Sequence, residues 1–240
     1  MPGKKTFYFE RPGPVNTKKT LQLGIQRALD LGIEHLIVPS LTGRTALYVA
    51  GRVRNNNFEL PLEVVCVTFR AGGALSIDGD PPGRHWKEIP ELKDRWKMWR
   101  KMGVKQLTFD ERIEDRLRKW EVPIVRATDL GADVETSMKS DLGMSTLKDI
   151  LKETLYLLCP GVKVSVFSTL MAADAGEIPV GREVIAFGGT EQGIDTAVVI
   201  KPSYSDSMFN KKGGLEVREL ICKPRSMMGS SGFYYGRAWK

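Results

Sequence analysis

The sequence predicts an α/β protein with a mostly parallel sheet. Two observations carry this. From Asn16 to Phe69 the chain alternates helical and strand patterning, and its strand runs, HLIV at 35–38 and LEVVCVTF at 62–69, are apolar without alternation. Runs of that kind mark strands buried on both faces, as in sheets covered by crossover helices. The order helix, strand, loop, helix, strand then gives one α/β unit with a right-handed crossover.

The elements follow in order. Asn16 is placed to cap a helix whose apolar positions Leu21, Ile25, Ala28 and Leu29 have helical spacing, and Gly32 stops it. After the first strand and the loop PSLTGR comes a helix through Ala46, Val49 and Ala50, then the second strand. AGGALSIDGDPPG, 71–83, is an exposed loop. Leu92, Trp96, Trp99 and Met102 share a helix face, followed by a short strand VKQLTF and a helix from Asp110 to Trp120. The stretch VRATDLGADVETSMKSDLGM carries no usable pattern. Ser145 is read as the cap of a helix with Leu147, Ile150, Leu151, Leu155 and Leu158 on its apolar side. VKVSVFST, 162–169, reads as a strand ending in hydroxyls, and EVIAFGG, TAVVIK and VRELICK complete the strands. This makes one domain, 1–224, with a Trp-containing basic insertion at about 84–120 and a tail, 225–240.

Composition narrows the class. The chain has 240 residues, 42% of them hydrophobic and 27% charged, ordinary for a soluble globular protein, and its three widely spaced cysteines are those expected in the cytosol. No window reaches the roughly 18 apolar residues of a membrane span, and the first residues lack the apolar core of a secretory signal. Cys66, Cys159 and Cys222 have no metal-binding or redox spacing and read as reduced core thiols. The net charge is +7. It is concentrated between Arg84 and Trp120, with twelve basic residues against seven acidic, and in the tail. Trp86, Trp96, Trp99 and Trp120 among these charges suggest a stacking surface for single strands, but helical spacing makes packing the stronger reading. Acidic residues mixed through 110–115 interrupt any continuous groove, so only weak, salt-sensitive nucleic-acid binding is expected. The same aromatic surplus predicts a homo-oligomer.

The strongest chemical signal is SLTGRT, 40–45. Ser40, Thr42 and Thr45 offer hydroxyls, Gly43 permits close backbone approach, and Arg44 opens a helix whose first amides are free. That set suits an oxyanion. Plain N-capping is the competing explanation. Further polar clusters follow other predicted strands: Thr68 and Arg70, Thr169 to Asp174, and Gly188, Gly189 and Thr190. Ligands of open α/β sheets sit beyond strand carboxyl ends, so the four clusters together define a candidate site. Asp174 is read as a ligand contact, an acid/base or a helix cap. The two histidines, His35 and His85, lack paired ligand spacing, and no metal site is expected. If the loop is exposed, Thr45→Val and Gly43→Val should both leave the fold intact.

With these residues in hand, Thr20 to Thr68 resembles the C-terminal α/β domain of pyruvate kinase, whose Thr-x-Ser-Gly-Arg-Ser/Thr-Ala loop is matched by Ser40, Thr42, Gly43, Arg44, Thr45 and Ala46. Residues 175–200 are similar to the end of that domain, with Arg182-Glu183 replacing the usual Asp-x after the second Gly and Asp195-Thr196 standing for Asn-Thr. The chain as a whole is similar to a family of stand-alone proteins of unassigned function with this domain. It shares Phe9-Glu10, Gly13 to Thr17, Met171 to Gly176, Gly188 to Thr190 and Lys201-Pro202 with that family.

The resemblance implies an α/β/α sandwich with a mixed five-stranded sheet whose last strand is antiparallel. It implies a phosphate-holding loop without the catalytic barrel, so pyruvate kinase activity is not expected. The expected function is binding of a phosphorylated small molecule. Ser40, Thr42, Gly43, Arg44 and Thr45 would hold the phosphate, and Thr68, Asp174, Gly188, Gly189 and Thr190 would line the remainder. Flavin mononucleotide (FMN) is the favoured ligand, which would open the way to a redox flavoprotein. A sugar phosphate is the rival.

Overall fold

The computed structural model describes residues 5–81, 84–128 and 147–226. Nine strands, β1 (Phe7–Phe9), β2 (His35–Pro39), β3 (Glu63–Phe69), β4 (Leu75–Ser76), β5 (Gln106–Leu107), β6 (Ile124–Ala127), β7 (Val184–Gly188), β8 (Thr196–Lys201) and β9 (Glu216–Pro224), occur among the described residues. The helices are α1 (Thr17–Leu31), α2 (Arg44–Arg54), α3 (Arg84–Glu88), α4 (Pro90–Lys101), α5 (Glu111–Lys119), α6 (Leu147–Tyr156) and α7 (Pro160–Asp174).

Seven strands form one sheet in the order β1-β9-β8-β7-β2-β3-β6. In this sheet only β8 runs against its neighbours and the other pairings are parallel; β4 and β5 pair antiparallel in a separate two-stranded sheet. The sheet is therefore mixed and mostly parallel, as expected. It has seven strands rather than five, and its antiparallel member is the eighth strand of the chain, not the last.

Period-two alternation divides the core. Leu36, Val38, Val64, Cys66, Ile185 and Phe187 face the layer of α1, α2 and α5. Ile37, Val65, Val67, Val184, Ala186 and Val198 face α7 on the other side. Helices thus cover both faces, the arrangement that lets parallel strands be apolar throughout.

The expected strand at 162–169 is corrected: those residues lie inside α7, fifteen residues long. Pro160 sits at the helix start, where its missing N–H costs nothing. Eleven of the fifteen residues are buried, so apolar and small side chains appear on every side and hide the helical period. Ser165 and Thr169 return their hydroxyls to the carbonyls of Gly161 and Ser165, four residues back. Asn16 also departs from expectation. It precedes α1 but makes no cap, giving its amide instead to the Arg11 carbonyl.

The expected insertion at 84–120 is not one unit: residues from β4 to β5 carry a small core of their own, and this part is called the insertion below. Ile77, Trp86, Ile89, Leu92, Trp96 and Trp99 form a separate apolar cluster under β4, β5, α3 and α4. Helix α5 belongs instead to the main body, with Leu117 and Ile113 in the core. Trp86, Trp96 and Trp99 are 1%, 3% and 8% exposed. They offer no stacking platform for single strands, and the argument for self-association drawn from surplus aromatic surface does not hold for them. Trp120 packs at the edge of the main core, with the Arg116 guanidinium 4.7 Å from its ring centre.

All three cysteines are free and buried. Burial pushes the Cys66 and Cys222 thiols up to about 12, which leaves them unreactive. Among the described residues no helix is long and apolar enough to cross a membrane. The unpatterned stretch begins as edge strand β6; its remainder, Ser145 and most of the tail lie outside the described residues.

Candidate functional site

Strand order sets where the site lies. From β2 the chain moves outward through β3 to β6, then crosses to the other side of β2 to lay down β7. The switch point is therefore between β2 and β7. In open α/β sheets the crevice outside the carboxyl ends of such a strand pair receives ligands. The loops that follow these two strands, Ser40–Gly43 and Gly189–Asp195, both reach this point, and a cavity of about 910 Å³ opens there.

The loop after β2 is built partly for itself. Ser40 is buried, and its Oγ accepts the Thr45 N–H at 3.2 Å. This is the local capping that competed with anion binding, and it uses one hydroxyl. Thr42, Arg44 and Thr45 all face the cavity. The Thr42 carbonyl accepts the Asp110 N–H, which brings the start of α5 against the start of α2. Asp110 caps α5, its Oδ1 accepting from the amides of Arg112 and Ile113. Thr68, at the end of β3, donates its hydroxyl to the Leu41 carbonyl at 3.3 Å. It braces the loop from behind and does not line the cavity.

Gly43 has φ +79, a conformation open to glycine and strained for other residues. A Cβ there would lie 2.6 Å from Ile113 Cγ2 and 2.9 Å from Phe109 Cζ. It would point into the packing of α5, not toward an anion. The expectation that Gly43→Val spares the fold is therefore corrected.

The second glycine loop serves packing. A Cβ on Gly188 would meet the Gly161 carbonyl oxygen at 1.9 Å. The missing side chain is what lets the first turn of α7 lie against β7. Gly189 is hemmed in by the Gly193 carbonyl in the same way. Thr190 is 1% exposed and turned inward beside Asp195. It is the continuation of this loop, Glu191, Gln192 and Gly193, that borders the cavity. Asp174 is not brought to it. It ends α7 beside a separate depression of about 570 Å³, and its Oδ1 accepts the Ser205 N–H at 2.9 Å.

Several residues at the cavity carry no signal in the loop motifs. Lys18 stands in the first turn of α1, Arg112 in the first turn of α5, and Arg95 reaches in from α4. Arg95 donates to the Gln192 side chain at 2.6 Å. Among the described residues no carboxylate pairs with the side chains of Lys18, Arg44 or Arg112. Each cation is adjacent in sequence to a helix start, which shows in the sequence only once the helix boundaries are known.

Beneath the cavity lies Asp195, fully buried. Its Oδ2 accepts the Gly13 N–H at 2.9 Å and its Oδ1 the Thr196 hydroxyl at 3.0 Å. Burial pushes its carboxyl above the ordinary range, against the pull of these donors and of Thr190. The bond to Gly13 fixes the turn that carries Pro14 and Val15 to the cavity rim. Among the described residues no cluster of histidine, cysteine and acidic side chains could hold a metal. No protein-family model matches the chain.

Proposed function

We propose that the protein binds a phosphorylated small molecule in the switch-point cavity, its phosphate at the N-terminus of α2. The placement of the cations carries this reading. Lys18, Arg44 and Arg112 stand in the first turns of three helices around one cavity. A helix start is the positive end of its dipole and favours carboxylates, so cations there oppose their own helices. At α2, whose first turn has no acidic residue, an oxyanion reverses the sign and gains from the helix dipole and the side chains together, whereas at α5 the capping Asp110 already takes two first-turn amides. Thr42 and Thr45 add hydroxyl donors.

FMN is the ligand that the resemblance to the stand-alone family favours, and the cavity suits its size, since small-molecule sites span roughly 300–1,000 Å³. Thr42, Arg44 and Thr45 would hold its phosphate. Bound flavin would supply electron or hydride transfer; the protein residues described here bind and orient. A regulatory site for a sugar phosphate is the alternative, and the pyruvate kinase resemblance of the loop supports it.

The test is calorimetric titration of FMN and of ribose 5-phosphate into wild type, Thr45→Val and Arg44→Ala. A hydrogen bond to a charged oxygen contributes about 1.5–3 kcal/mol, so Thr45→Val should weaken binding roughly 10- to 150-fold. Both side chains face the cavity, so thermal unfolding should stay near wild type. Equal affinity for wild type and both variants would overturn the reading.

A further inference from the structure

We propose that the insertion supplies a selectivity wall, and that it favours a flat apolar ring attached to the phosphate over a polyhydroxylated sugar. This rests on the phosphate reading above and adds to it the chemistry of the group the phosphate carries. The cavity has two unlike sides. The main body presents Thr42, Arg44 and Thr45, while the insertion presents Leu75, Met98, Trp99 and Leu107. Tyr48 stands one helical turn after Arg44 and also faces the cavity.

Met98 and Tyr48 are the informative pair. The insertion buries Trp86, Trp96 and Trp99 in its own cluster and leaves Met102 exposed away from the cavity; Met98, 47% exposed, and Tyr48 of α2, 39% exposed, are both at the cavity. A thioether and a phenol ring at one opening suit a planar ring, which gains from sulfur–aromatic and ring–ring contact. A sugar would lose hydration against the same surface. The wall is also held in place. Trp86 Nε1 donates to Glu191 at 2.8 Å, Arg95 to Gln192 at 2.6 Å, and Arg11 to Glu91 at 2.6 Å. The first two contacts tie the insertion to the loop after β7, which forms the rim of the cavity.

The experiment compares FMN, riboflavin and ribose 5-phosphate by calorimetry in wild type, Met98→Ala, Tyr48→Ala and Thr45→Val. Both alanine variants remove exposed side chains and should fold. The expected result is FMN bound roughly tenfold or more tighter than ribose 5-phosphate by wild type. Each alanine change should weaken FMN roughly 3- to 10-fold and leave ribose 5-phosphate unaltered. Equal affinity for the two phosphates in wild type, or equal losses in the alanine variants, would overturn the wall; if Thr45→Val still weakened both, the phosphate reading would survive alone. Riboflavin bound as tightly as FMN, with no effect of Thr45→Val, would sink the phosphate reading and with it the proposal that rests on it. No binding of any of the three would overturn both.

Discussion

The indole N–H of Trp86 donates to the Glu191 carboxylate at 2.8 Å across 105 residues of sequence. Glu191 is one of two non-glycine residues with positive φ among those described, at 66°. Its backbone is strained, and its side chain is held by the insertion, with His85 Nδ1 also 3.6 Å from Oε1. A loop residue in a sparsely populated conformation persists only when its surroundings fix it.

Glu191→Ala should therefore destabilise the protein by about 1–3 kcal/mol, because it strands the Trp86 donor without its acceptor. Glu191→Gln keeps an acceptor and should cost less. Denaturant unfolding of the two variants beside wild type decides this. Equal stability of all three would mean that the contact contributes nothing.

Gly43→Ala should lower stability by about 1–3 kcal/mol from backbone strain alone, with crowding of Ile113 and Phe109 in addition. The cost should appear in thermal unfolding of ligand-free protein. A variant melting like wild type would show that α5 gives way freely.

Asp195 predicts a pH dependence. Its folded-state carboxyl is raised by burial, so the folded protein holds the proton more tightly than the unfolded chain, whose Asp titrates near 4. Above that pH the unfolded chain is the first to release its proton, and this group's contribution to stability falls until the folded carboxyl has also ionised. Asp195→Asn removes that slope while keeping an acceptor for Gly13. The melting temperature of the variant relative to wild type should be higher at pH 7 than at pH 4. A difference that is flat with pH would show that the carboxyl does not titrate abnormally.

The parts of the fold legible in the sequence are those with a clean period. α1 and α2 carry apolar stripes, and β2, β3 and β8 are β-branched runs of strand length. α7 was not legible, because burial on all sides removes the polar face that shows a helical period. The Ser40–Thr45 loop could be found because its chemistry is contiguous. Gly188 and Gly189 look like the same kind of signal, yet their reason is the closeness of α7 to β7, a long-range fact. Arg95 and Met98 reach the cavity only through the docking of the insertion, which no local pattern encodes.

The one antiparallel strand of the seven-stranded sheet has a consequence for how the molecule is made. Asp195, just before β8, holds Gly13, 182 residues earlier, and β8 reverses the chain so that β9 can pair with β1, Phe7 beside Cys222. Closing loops of that length is entropically slow, and contacts so distant in sequence retard folding. On the ribosome, the Gly13–Val15 turn at the cavity rim must wait until Asp195 has been made. Until β8 and β9 emerge, Phe9 and the part of α1 that packs on them stay uncovered, and aggregation would begin from such a partly assembled state. The sides of the cavity formed by Pro14, Val15 and Glu191 to Gly193 are therefore completed after the Ser40–Thr45 side.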